Sequence, residues 1–187
     1  DGIPWRLDRE LKQELIVGVG AFKSMKTNAR FVGRAFCFNN KGEFKGFDCF
    51  RDNEFDLIAG AIGKQILKFV VDNDNKAERL IIHYYKPISK DEIDPIQKTL
   101  GRLKLDIPIV IVTINKTESS DYVAFDTNDE ALMPLSGTII EIAHLKYLLF
   151  NNAKYSSNGF AKDHPFPVKL SLYCTEQDYF EDIAIVK

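Results

Sequence analysis

A run of apolar residues ends in Gly18, Val19 and Gly20, inside "LIVGVGAFKS" (residues 15–24). Two glycines at a strand end support three readings: a turn whose backbone amides hold a phosphate, a tight packing contact, or a catalytic position that has lost its side chain. The phosphate turn fails on spacing. A dinucleotide fingerprint needs a third glycine at position 23, which is Lys, and then a helix, whereas the β-rich pattern here continues. A Walker loop needs Gly-Lys-Ser/Thr, which does not follow. Soft metal chemistry finds no support either. Cys37, Cys49 and Cys174 stand far apart with no Cys-x-x-Cys, and His83, His144 and His164 share no ligand spacing with one another or with the cysteines.

The totals narrow the classes further. With 187 residues, 45% hydrophobic and 28% charged, the chain suits one well-buried globular domain. A formal charge of −2 gives no basic excess for gripping nucleic acid over the whole surface, so any such binding must come from a local patch. No apolar run approaches the roughly 20 residues that span a bilayer, and none reads as a signal peptide. Three scattered cysteines fit reduced thiols in a cytoplasmic setting. A start at Asp1 and an element-like "IAIVK" at residues 183–187 lead us to expect a fragment of a longer protein.

Chemistry at the glycines depends on the elements that hold them. Residues 14–22 run apolar after Glu14, as a central strand buried on both faces would. Residues 31–38 and 43–50 are β-rich and flank "NNKG" (residues 39–42), whose Asn and Gly tolerate positive φ, so a three-stranded antiparallel meander is expected. From Asn53 the period turns helical: Ile58, Ala61, Ile62, Ile66, Phe69 and Val70 recur over about 18 residues. Asn53 is the expected N-cap, with Asp56 near the positive end of the dipole. A strand over 80–85 follows, and Ser89 with Glu92 has the spacing of a capping box opening a second helix whose inward face is Ile93, Ile96, Leu100 and Leu103. Residues 107–114 make an almost wholly apolar strand. Shorter strands are expected at 122–125, 138–142, 147–150 and 167–174, with loop-like Ser, Asn and Gly between them. The order β-β-β-α-β-α-β predicts an α/β, RNase H-like fold: a mixed five-stranded central sheet flanked by helices, with additional C-terminal strands.

In that fold the ends of the first and fourth strands lie side by side. A metal-dependent nuclease would put carboxylates at both, holding two cations about 3.5–4 Å apart. This chain has none at either place. The stretches "LIVGVGAFKS", "ERLIIHYYKPISKDEI", "IPIVIVTINKT" and "PLSGTIIEI" resemble, in order and approximate spacing, the PIWI domain of Argonaute proteins, and "GIPWRLD" looks like the opening of PIWI domains in prokaryotic members. The resemblance covers nearly the whole chain. It implies that residues 1–187 are a PIWI domain, with a MID domain upstream and further helices downstream. It puts the family's first catalytic aspartate on Gly20 and its second on Tyr85, with Tyr84 in place of the preceding arginine. The family's glutamate before the first helix could correspond to Glu54, to within a residue or more of register. A fourth ligand, a His or Asp, would lie after two further helices downstream.

Loss of both aspartates resembles the short, catalytically inactive prokaryotic Argonautes, which work with a TIR- or sirtuin-type NAD-consuming effector carrying an Argonaute-associated segment. The implied partners are a guide RNA, a target single-stranded DNA and that effector, in a cytoplasmic prokaryotic defence complex with no membrane. The implied cofactors are none at the degenerate site, with Mg²⁺ at the guide 5′ end elsewhere in the full protein. Physically, strands are held by cations and amides whereas cleavage needs the metals, so recognition can outlive hydrolysis.

Lys116 follows the fifth strand, where the resembling motif carries a Lys that reaches the guide backbone, and it is the leading contact. Lys23, Lys26 and Arg30 cluster after the first strand and can line the same channel. Tyr84, Lys146 and Lys154 complete the candidate contacts, with Lys162 weaker. The last three lie among Tyr147, Phe150, Tyr155 and Phe160, whose rings either stack on bases or fill a core. Solvated lysines and strand-end aromatics explain the same residues without a ligand. The acidic "TEQDYFEDI" (residues 175–183) suits a solvated helix or a protein partner. Two rival functions stand beside this reading: a working nuclease that recruits Glu54, Asp48 or Asp52 to a displaced metal site, and a scaffold that only holds a protein subunit.

Overall fold

The computed structural model describes residues 14–23, 30–38, 44–51, 53–72, 77–115, 122–128, 130, 132–150 and 167–176, with the backbone alone at 22–23, 30–38 and 44–49. The chain divides into two compact units, Asp1–Ile111 with Cys174–Glu181 and Val112–Tyr173 with Asp182–Lys187.

The first unit holds β1 (Glu14–Lys23), β2 (Arg30–Phe38), β3 (Phe44–Arg51), α1 (Phe55–Asp72), β4 (Arg79–Tyr84), α2 (Lys90–Arg102) and the start of β5 (Ile109–Asn115). Its strands run in the order β3-β2-β1-β4-β5, the five-stranded sheet that the sequence predicts. It is mixed: β1 pairs antiparallel with β2 and parallel with β4, and β2 pairs antiparallel with β3.

Alternation explains which face carries the helices. Leu15, Val17 and Val19 of β1 are register partners of Leu80, Ile82 and Tyr84 of β4. All six are buried on one face against Ile58, Ile62, Ile66 and Phe69 of α1 and Ile93, Ile96 and Leu100 of α2. Burial on both faces, expected along the whole of β1, stops short. Ile16 and Gly18 are half-buried, and Gly20 and Ala21 are exposed, so the strand opens to solvent at its C-terminal tip. At the opposite tip Glu14 and Arg79, also register partners, form a buried ion pair.

The two helices meet closely at Gly63. A Cβ there would lie 2.6 Å from Thr99 Cγ2, and the Thr99 hydroxyl donates to the Pro95 carbonyl at 2.8 Å, which holds that rotamer in place. Gly63→Ala is therefore expected to destabilise the unit by about 1–3 kcal/mol through overpacking. Gly60→Ala on the same helix meets nothing within 4 Å and serves as the control, gaining about 0.5–1 kcal/mol from helix propensity. Urea midpoints at constant slope check the pair.

Two local expectations need correction. Helix α1 begins one residue later than Asn53 would cap it: Glu54 precedes Phe55, its carbonyl accepts the Ile58 N–H at 3.1 Å, and its Oε2 accepts the Arg51 N–H at 2.8 Å. Strand 80–85 ends at Tyr84, leaving Tyr85 in the bend that leads to α2.

The second unit contains β6 (Ile139–Ala143) and β7 (Lys146–Leu149), an antiparallel hairpin turning on His144 and Leu145, with Leu145 at φ 58°, followed by β8 (Val168–Cys174) antiparallel to β7. Residues 122–125 form no strand. Tyr122, Val123 and Phe125 are exposed, and the Asp126 N–H turns to the Leu132 carbonyl at 3.1 Å. None of the described strands pairs with them, and strand preference by itself decides little. Past β8 the chain is back in the first unit, where the Thr175 N–H donates to the Ile109 carbonyl and the Ile109 N–H to Thr175 Oγ1, each at 3.1 Å. No helix among the described residues is long and apolar enough to cross a membrane.

Candidate nucleic-acid interface at the strand tips

The parallel register of β1 and β4 runs as far as Val19 opposite Tyr84, so Gly20 and Tyr85 are the next residues along the two neighbouring chains. These are the two positions on which the resemblance to PIWI domains would put metal-holding aspartates. A bulge between Val19 and Gly20 shifts the pairing with β2, and Gly20 lies opposite Gly33. Bulges re-aim a strand at its rim, and paired glycines let another backbone come close. Beyond them Lys23 and Arg30 are register partners, so two of the predicted cationic positions lie side by side at this end of the sheet.

Four donors converge on one carboxylate behind the β4 tip. Glu92, in the first turn of α2, is buried, and its Oε1 accepts the Tyr84 hydroxyl at 2.6 Å while its Oε2 accepts the Ser89 N–H at 2.9 Å and the Ser89 Oγ–H at 2.8 Å. The fourth donor, Lys86 Nζ, lies 2.9 Å from Oε1. Burial alone would raise the Glu92 carboxyl pKa, but the bonds from Tyr84, Ser89 and Lys86 together outweigh it and hold the group below the ordinary carboxylate value. Burial, reinforced by the bond to Glu92, pushes the Tyr84 phenol well above its usual value, so it stays a proton donor. The Tyr84 and Tyr85 rings lie 5.2 Å apart at 32°, and Lys86 Nζ stands 5.9 Å from the centre of the Tyr85 ring.

This network corrects one predicted contact. Tyr84 is 3% exposed with its ring in the core and its hydroxyl on Glu92, so it does not face a ligand. Tyr85, half-buried, is the tyrosine nearer the surface. Tyr147 and Phe150 are core residues of the second unit, while Lys146 is exposed on β7. Lys26, Lys116, Lys154 and Lys162 lie outside the described residues, as do Asp52, Tyr155, Phe160 and His164, and Asp48 is described by backbone alone. His83 is half-buried opposite Gly18, and burial lowers its pKa, which favours the neutral imidazole. Two residues were missed by sequence reasoning: Lys86, and Glu92 in any role beyond capping. The motif Ser-x-x-Glu accounts for the cap, but nothing in the spacing joins Tyr84 to Glu92 across the turn.

Divalent cations require several oxygen ligands. Gly20 supplies no side-chain atom and Tyr85 a phenol, and Glu54 already accepts the Arg51 N–H. Among the described residues no group of three His, Cys, Asp or Glu is placed to hold a metal ion.

No protein-family model matches the chain, and no curated protein matches it. Solved structures do. Marinitoga piezophila Argonaute in complex with 5′ OH guide RNA and target DNA superposes with a TM-score of 0.64 at 16% identity, over 96% of this chain and 25% of that one. The same Argonaute with guide RNA gives 0.62 at 15%, over 96% and 26%. The chain has a PIWI-like fold. Aa-Ago with externally bound siRNA agrees, at 0.55 and 16%, over 91% of this chain and 23% of that one. The PIWI-like chain thus spans about a quarter of the length of these Argonautes.

Proposed function

We propose that this chain is the PIWI domain of a short Argonaute-type defence protein, inactive as a nuclease, that holds a guide RNA with a complementary single-stranded DNA target and passes recognition to a TIR- or sirtuin-type NAD-consuming effector. The observation that carries the reading is the conjunction of a PIWI-like fold with Gly20 and Tyr85 at neighbouring strand tips. Where cations would clamp a scissile phosphate, the chain offers a bare backbone and a phenol. The same end of the sheet carries Lys23 and Arg30 side by side, suited to phosphates. Holding the strands then biases the protein toward one of two states that a partner can read.

The test uses the full-length protein with a short guide RNA, complementary DNA and Mg²⁺ or Mn²⁺. The expected result is salt-sensitive binding without cleavage. Product that disappears with Glu54→Ala would establish a displaced-site nuclease. Absence of binding at any salt concentration would leave only the scaffold.

A further inference from the structure

We propose that Lys86 is an exchangeable phosphate contact: its ammonium moves between the buried carboxylate of Glu92 and a phosphodiester of the strands held at the β4 tip. The inference rests on the nucleic-acid reading above and adds to it a residue that the resemblance does not assign.

The donors to Glu92 are unequal. Tyr84 is fixed in the core, and the Ser89 N–H and Oγ–H belong to the entrance of α2. Lys86 alone is charged, and its side chain is 43% exposed against 3% for Glu92. When it swings away, the carboxylate keeps three donors and is not left buried and unsatisfied. Its flexible stem and three N–H groups suit two alternating partners, and the Tyr85 ring lies beside it, with Nζ 5.9 Å from the ring centre.

Position makes the exchange useful. Lys86 stands two residues past the end of β4, whose last residue pairs with Val19, next to exposed Gly20. A cutting enzyme would meet the phosphate there with divalent ions. Here a protein cation neutralises the same charge without activating water. Because the alternative partner of that cation lies in the first turn of α2, occupancy of the tip changes what holds the helix entrance.

Guide-loaded full-length protein is titrated with labelled complementary DNA between about 0.05 and 0.3 M salt. Lys86→Met is expected to weaken binding about five-fold near 0.15 M salt and to flatten the log–log salt slope by about 0.9, while Lys86→Arg keeps the slope. Glu92→Gln, which removes the competing carboxylate charge, is expected to bind about two- to five-fold more tightly with the lysine still in place. Thermal melts confirm that each variant is folded. Salt-dependent wild-type binding with an unchanged slope in Lys86→Met overturns this inference and leaves the parent reading standing. Weaker binding by folded Glu92→Gln also overturns it. Wild-type protein that does not bind the strands overturns both.

Discussion

Arg79→Leu is expected to lower the unfolding free energy by about 3–5 kcal/mol, because it strands the Glu14 carboxylate in the interior without its guanidinium. Both residues are nearly inaccessible, at 2% and 4% exposure, and they face each other at the starting ends of the parallel pair β1 and β4. Replacing both with leucine is expected to recover most of the loss and could exceed wild type, since a well-packed apolar pair avoids desolvating two charges. The expected contribution of the ions is to register. A slip of two residues preserves every buried face along these alternating strands, so apolar packing alone discriminates weakly against it. Such a slip separates Gly20 from Tyr85 by a further ~6.6 Å at about 3.3 Å per residue. Urea titration of the two single variants and the double variant tests the energetics. Weaker binding of guide and target by a stable double variant tests the register argument.

Glu92→Leu is the second large effect, a loss of about 3 kcal/mol, since the buried Tyr84 hydroxyl loses its acceptor and the entrance of α2 loses its capping bond to the Ser89 N–H. Glu92→Gln keeps an acceptor and costs less. It also exposes a pH signature. The native carboxyl titrates below its unfolded value of about 4.3, so its contribution is fully present above that value and is lost as pH falls through the lower native one. The stability gap between wild type and Glu92→Gln should be constant from about pH 6 to 7 and shrink below about pH 4.3. Chemical denaturation at both ends of that range measures it. A gap that widens in acid would mean that Glu92 is not held as a carboxylate.

The fold was legible where pattern and propensity agreed. Eighteen residues of helical period became an eighteen-residue α1, and the apolar run after Glu14 became β1, whose helix-facing side is Leu15, Val17 and Val19. The capping box at Ser89 and Glu92 was also readable, because caps are set by short-range hydrogen bonds within one turn. Residues 122–125 misled for the opposite reason: their β character is local, whereas a strand needs a neighbour supplied by distant chain. The site divides the same way. Placing Gly20 beside Tyr85 needed only strand order, but the burial of Tyr84 and the role of Lys86 depend on how α2 docks, which no local spacing encodes.

The bonds between Ile109 and Thr175 close a loop of 66 residues, and during synthesis they must form late. The ribosome delivers β1 through the start of β5 first, yet the backbone groups of Ile109 receive their partners only after the Val112–Tyr173 stretch of the second unit has been translated. At about 5–20 residues per second that wait is roughly 3–13 s, far longer than a hairpin takes to form. During it the nascent sheet carries an unfinished rim at Ile109, where a chaperone or a neighbouring nascent chain can pair before Thr175 arrives.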